Sequence, residues 1–163
     1  MMTLRRYAEG DFWLLEAKNT PEMTAKLGGP ETPEKLADRH RRYTDPDGFA
    51  GGGGMFVVLD GGEPVGTVGY WVREWHGEPV YEAGWGVLPT HQGKGYATSA
   101  AKLAVEHARE HGDRAWLHAY PKVDHPASNA ICRKAGFELM GECDFEYPVG
   151  NPIVCNDWRV AVK

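Results

Sequence analysis

The sequence predicts an α+β (mixed α/β) domain, one sheet of about seven strands flanked by about four helices. Three observations predict it. Residues 55–88 read as three strands in a meander, cut by turn signals at Asp60-Gly61-Gly62-Glu63 and Trp75-His76-Gly77-Glu78. An alanine-rich helical segment follows a glycine-rich loop at 92–97. Two more strand candidates close the chain after Gly136. Strand runs interleaved with helices indicate stacked layers around one core.

The first strand is Thr3–Tyr7. A helix over Asp11–Lys18 has Asp11 as its N-cap candidate. A second helix, Pro33–Tyr43, has Thr32 as cap and Pro33 at its first position, where proline's missing N–H costs nothing. Asp45-Pro46-Asp47-Gly48 and the run Gly51–Gly54 read as turn and loop. No helix follows that run, which argues against a phosphate role.

The meander strands are Met55–Asp60, Pro64–Arg73 and Pro79–Leu88. The next helix runs from about Lys94 to Glu110 and stops at Gly112. Ala97, Ala101, Ala104 and Ala108 line one face of it, so it lies close on the sheet. Ala115–Tyr120 is a strand, Ser128–Ala135 a short helix, and Phe137–Tyr147 and Ile153–Val162 the closing strands.

The length of 163 residues suits a single domain spanning 1–163. A formal charge of −5 argues against a nucleic-acid partner. No apolar run approaches the roughly 20 residues of a membrane span. Arg5, Arg6, Glu9 and Asp11 interrupt any signal-peptide core. Cys132, Cys143 and Cys155 are odd in number and form no CxxC pair, which fits a reducing cytoplasm and no metal cluster. His107 and His111 have metal-compatible spacing but lack a third ligand nearby, and read as a solvated helix end.

The loop Gln92-Gly93-Lys94-Gly95-Tyr96-Ala97 carries the most chemistry. It stands after a strand and before a helix, so backbone N–H groups and a helix dipole converge on one spot suited to a phosphate or pyrophosphate. A dinucleotide fingerprint would need a third glycine where Thr98 stands, within a βαβ unit rather than a meander. A Walker loop would need Ser or Thr after Lys94, where Gly95 stands.

This loop resembles the signature [Gln/Arg]-x-x-Gly-x-[Gly/Ala] of the GNAT superfamily of N-acetyltransferases. A second motif of that superfamily, helix then Gly-Phe then strand, is matched by Ser128–Phe137. The Rim-type branch, which acetylates protein N-terminal amines and related amines, looks closest. The resemblance implies a mixed, mostly antiparallel sheet and acetyl-CoA as co-substrate. Backbone amides of Gln92, Gly93, Lys94, Gly95, Tyr96, Ala97 and Thr98 would hold the pyrophosphate. Backbone groups of Trp85, Gly86 and Val87 would pair with the pantetheine arm, and an N–H near Val87 would polarise the thioester carbonyl. His125 stands where an Asn is common, and His125 or Ser128 would replace its contact to that arm. The resemblance further implies an amine-bearing small molecule or a protein N-terminus as acceptor, and a homodimer.

Acetyl transfer to an amine needs a neutral nucleophile, a polarised carbonyl and a proton for the leaving thiolate. Glu82 is the base candidate: by strand alternation it shares a face with Gly84 and Gly86, where missing side chains leave room for a ligand. Its offset of ten residues before Gln92 is similar to that of the glutamate base in the histone-acetylating branch. The superfamily's tyrosine acid is replaced by Cys132, which is either near the CoA sulfur or an inert buried thiol. Tyr120 or water is the other proton donor. His118, mid-strand, is either a base facing the cleft or a satisfied sheet histidine. Trp71 or Trp75 on the cleft would imply an apolar or aromatic group in the acceptor. A non-catalytic acyl-CoA-binding domain and transfer of a longer acyl group are the alternatives.

Overall fold

The computed structural model describes residues 1–147 and 149–163. Pro148, in the turn expected at 147–152 to wall the acceptor side, lies outside the described residues. The elements are β1 (Met2–Arg6), α1 (Phe12–Lys18), α2 (Pro21–Thr24), α3 (Pro33–Thr44), β2 (Gly53–Asp60), β3 (Glu63–Trp75), β4 (Glu78–Val87), α4 (Tyr96–His111), β5 (Trp116–Ala119), α5 (Pro126–Lys134), β6 (Glu138–Glu146) and β7 (Pro152–Ala161).

The seven strands form one sheet in the order β1-β2-β3-β4-β5-β7-β6. Every neighbouring pair is antiparallel except β4 and β5. The mixed, mostly antiparallel α/β sheet is therefore as the sequence predicts. The helix that sequence reading missed is α2, a single turn whose signals were present: Thr20 Oγ1 accepts from Met23 N at 3.2 Å, and Pro21 is at its first position.

Each face of the sheet buries its own apolar cluster. Under α4, Tyr70, Tyr81, Leu117, Phe137 and Trp158 pack with Ala100, Ala104 and Ala108, whose small side chains bring the helix close to the strands. Under α1 and α3, Leu14, Leu15 and Leu36 pack on Met55 and Val57. α3 is capped as expected, with Thr32 Oγ1 accepting from Lys35 N at 3.3 Å. Asp11 precedes α1 but does not cap it. Its carboxylate accepts from Ala8 N at 2.7 Å and forks onto Arg5 at 2.8 and 3.0 Å.

The glycine run also differs from a plain loop, since Gly53 and Gly54 open β2. Gly52, at φ +111°, lies so near Tyr81 that a Cβ would stand 2.9 Å from its hydroxyl, so the run is a packing device. Among the described residues, no helix is long and apolar enough to cross a membrane, and no three His, Cys, Asp or Glu side chains gather as metal ligands. His107 packs at the helix end with Nδ1 2.6 Å from the Tyr70 hydroxyl.

Candidate active site

The glycine loop delivers an unfilled helix N-terminus. α4 starts at Tyr96, two residues later than the sequence suggests, because Gly95 is left-handed at φ +79°. No side chain caps this end, so the first-turn N–H groups of Tyr96, Ala97 and Thr98 have no intrahelical acceptor. Gly93 is also left-handed, at φ +78°, and a Cβ on either glycine would meet no protein atom within 4 Å. Open space over bare N–H groups suits a pyrophosphate. Lys94 is exposed beside it. The Gln92 amide nitrogen lies 2.8 Å from Met23 Sδ and 3.4 Å from the Val87 carbonyl, while the Tyr96 hydroxyl donates to Asp60 at 2.6 Å and anchors the helix start to β2.

Upstream of the loop the sheet opens. β4 and β5 pair only at Tyr81↔Leu117 and Glu82↔His118. Beyond that point Trp85, Gly86 and Val87 keep their β3 partners Val68, Thr67 and Gly66 but have no strand on the other side. The free edge is the one place where an extended arm can join β4 as an added strand. Trp85 turns its ring toward α5, 6.5 Å from Phe137.

Glu82 sits where the strands part. Arg73 Nη1 donates to its Oε1 at 2.9 Å. Burial pushes the Glu82 carboxyl above its ordinary range, and the Arg73 guanidinium opposes that shift. Glu82 does share a face with Gly84 and Gly86, but the room over those glycines is partly taken. A Cβ at Gly84 would stand 3.0 Å from the Trp71 ring, and one at Gly86 would stand 3.2 Å from the Lys18 stem. Lys18 donates to the Thr67 hydroxyl, which lies opposite Gly86 in the register. Burial, with Arg39 adding repulsion, lowers its ammonium to about 8.

Beside Glu82 in the register is His118, buried on β5, with Nδ1 2.6 Å from Asp157 Oδ1 on β7. Trp75 Nε1 donates to the other Asp157 oxygen at 3.2 Å. Both alternatives for His118 meet here, since it is a satisfied sheet histidine held at one nitrogen on the Glu82 face. Tyr120 stacks on His118 with ring centroids 5.6 Å apart, and meets the rings of Trp75 and Phe145 at a tilt, at 4.8 and 4.9 Å. Among the described residues its hydroxyl is buried without a hydrogen-bond partner, and burial next to Asp157 pushes its pKa up, so it stays protonated.

Of the two alternatives for Cys132, the structure has the buried thiol. Its thiol has 0% exposure in the core under α5, with Phe137 and Trp158, and burial pushes its pKa to about 12. It packs there as a small apolar side chain. His125 is the N-cap of α5, where Nδ1 accepts from Ser128 N at 3.3 Å. Proline at the first helical position moves the start of α5 back to Pro126.

Two hollows open on the Glu82 face. The larger, about 720 Å³, lies toward β6 and is lined by Trp75, Trp116, His118, Asp157 and Arg159. The smaller, about 270 Å³, lies against Gly84, Trp85 and Gly86 and is walled by Lys18, Arg39 and Trp71. Of the two, the smaller one reaches the free edge of β4. Sequence reading missed Lys18, Arg73 and Asp157, because their roles come from contacts between distant segments.

The family model described as an acetyltransferase (GNAT) domain matches residues 2–138. The chain belongs to this family. The GNAT domain has no match among curated proteins. Its fold is shared with several solved structures. An aminoglycoside acetyltransferase, AAC(6')-Ib, in complex with coenzyme A is 23% identical, with 99% of this chain and 95% of that one covered and a TM-score of 0.78. RimL, a ribosomal L7/L12 alpha-N-protein acetyltransferase in complex with coenzyme A, is 21% identical over 98% and 93%, with a TM-score of 0.80. Spermidine N-acetyltransferase from Vibrio cholerae, in complex with CoA and spermine, is 18% identical over 98% and 95%, with a TM-score of 0.78. At these identities the likeness is one of fold.

Proposed function

We propose that this GNAT domain transfers the acetyl group of acetyl-CoA to a primary amine of a small molecule or a protein N-terminus, by direct attack. The observation that carries this reading is the free β4 edge, which runs from Glu82 at the parting of the strands to the bare N-terminus of α4. Backbone N–H groups of residues 92–98 hold the pyrophosphate, and Trp85, Gly86 and Val87 hold the pantetheine arm by strand addition. An N–H near Val87 stabilises the oxygen of the carbonyl under attack. His125 and Ser128 sit at the start of α5, on the far bank of the opening.

Acetyl-CoA supplies an activated acyl group whose carbon–sulfur bond breaks as the carbon–nitrogen bond forms. Glu82 accepts the proton that the amine loses. Its raised pKa brings it nearer neutrality, where a base is most effective. Tyr120 supplies a proton to the departing thiolate, being protonated and without a competing hydrogen bond. His118, held by Asp157, orients the groups around Glu82.

The test is thiol release from acetyl-CoA over a panel of amines, with the N-acetyl product identified by mass spectrometry. Tight CoA binding without thiol release for any amine would select the non-catalytic acyl-CoA-binding alternative.

A further inference from the structure

The smaller hollow, which reaches the free β4 edge, is the acceptor side in the acetyl-transfer reading, and the charges around it do not suit a polycation. Among the described residues, Glu31 is the one carboxylate lining the hollow, and Arg39 grips both its oxygens, at 2.9 and 2.7 Å. Glu82, next along the face, is held by Arg73 at 2.9 Å. Asp157 is shared between His118 and Trp75. Among the described residues, no unpaired carboxylate lines the smaller hollow. Lys18 is the reverse case. Its ammonium projects over Gly86, with Nζ 3.5 Å from where a Cβ would stand, and its hydrogen-bond partner is a neutral hydroxyl. It is a largely buried cation with no carboxylate paired to it among the described residues, and so favours an anion in the hollow.

Position narrows the anion further. Gly86 lies within the segment that holds the thioester end of the arm in the proposed transfer. A carboxylate paired with Lys18 therefore sits close to the attacking amine, as it does in an α-amino acid. The hollow, at about 270 Å³, falls just below the roughly 300–1,000 Å³ usual for small-molecule sites. Leu15, Leu36, Met55 and Trp71 give it apolar walls for a side chain.

We propose that the acceptor is a small amine carrying a carboxylate beside the amino group, a free amino acid or a close analogue, and that Lys18 selects it by binding the carboxylate. This rests on the acetyl-transfer reading for the place of the thioester, and the experiment separates the two. Equilibrium binding is measured by calorimetry with CoA present, for leucine, leucinamide, an aspartate-initiated tripeptide amide, spermine and kanamycin. Leucine is expected to bind roughly ten- to a hundredfold tighter than leucinamide, the range for a hydrogen bond between charged groups. Lys18→Met should remove that ratio, and Lys18→Glu should invert it.

Thiol release is read on the same panel. A leucine-to-leucinamide ratio near one, or tighter binding of spermine or kanamycin than of leucine, overturns the proposal. Preference for the tripeptide amide overturns it too, since the carboxylate would then lie away from the amine. Absence of thiol release with every amine, beside an intact binding ratio, sinks the transferase reading and leaves the charge selection standing.

Discussion

Arg73 and Glu82 form a diagonal pair across two antiparallel strands, since Arg73 lies opposite Val80 and reaches two residues along β4 to Glu82 at 2.9 Å. The guanidinium is also flanked by the rings of Phe145, Tyr120 and Trp75, at 4.8, 5.2 and 5.3 Å from their centroids. It is therefore held in place and biases Glu82 toward the carboxylate against the pull of burial. Glu82→Gln should lower kcat/KM by about 10²–10⁴ and remove the acid limb of its pH profile. Arg73→Met removes the largest opposition to burial, so the Glu82 pKa rises. A base works deprotonated, so activity is lost as pH falls through that pKa, and the limb moves to higher pH. A limb unmoved in Arg73→Met would show that some other group titrates.

Tyr120→Phe separates chemistry from stability. The hydroxyl is buried and unpartnered, so removing it relieves a desolvated polar atom, and urea denaturation should show a variant as stable as the parent or more so. The rate should fall by about tenfold or more, short of a full general-acid effect where water substitutes. Loss of stability without loss of rate would reverse the assignment.

Gly95→Ala addresses the anion cradle. An L-residue at φ +79° carries strain of roughly 1–2 kcal/mol. The new methyl group meets no protein atom within 4 Å, so no clash adds to that strain. It points into the space assigned to the pyrophosphate. CoA affinity measured by calorimetry should weaken by at least about tenfold, against a modest fall in Tm. Unchanged affinity would move the pyrophosphate elsewhere.

Lys18 carries a stability signature. Its folded pKa of about 8 lies below the ordinary value near 10.4. Between those two values the unfolded chain keeps a proton that the folded one has lost, so stability rises with pH through that window. Below it the full penalty applies, on the order of 2–3 kcal/mol. Lys18→Met should therefore be more stable than the parent at pH 7, by about 1–2 kcal/mol after loss of the Thr67 contact. That advantage should shrink toward pH 10. Equal advantages at both pH values in urea titrations would contradict the burial of this ammonium.

Local rules made most of the fold legible. The meander, α4, α5 and the final pair of strands follow from alternation, alanine spacing, capping and glycine stops, each of which acts within a few residues. α2 escaped because one turn gives no periodicity, though Thr20 and Pro21 marked its start. The loop at 92–98 was legible because the cradle is made of backbone, whose geometry the glycines announce. The side-chain chemistry was not. Trp75 and Asp157 are 82 residues apart, His118 and Asp157 39 apart, and the Lys18–Thr67 contact spans 49. No local pattern encodes such pairs, because only the strand order and the docking of α1 on the sheet bring them together. Cys132 shows the reverse limit: its motif position suggested chemistry, and the packing under α5 gives it none.

The two-pair join between β4 and β5 bears on how the chain reaches its fold. β2, β3 and β4 close through hairpins between near neighbours in sequence, and β6–β7 does the same. The seam pairs Tyr81 with Leu117 across the whole of α4, and must close a longer loop than those hairpins for only two register pairs. It is thus expected to close after those hairpins. Truncating Leu117 should mainly speed unfolding and leave the folding rate little changed, as chevron kinetics would show. A sheet joined so sparingly keeps its opening without having to unmake anything already built.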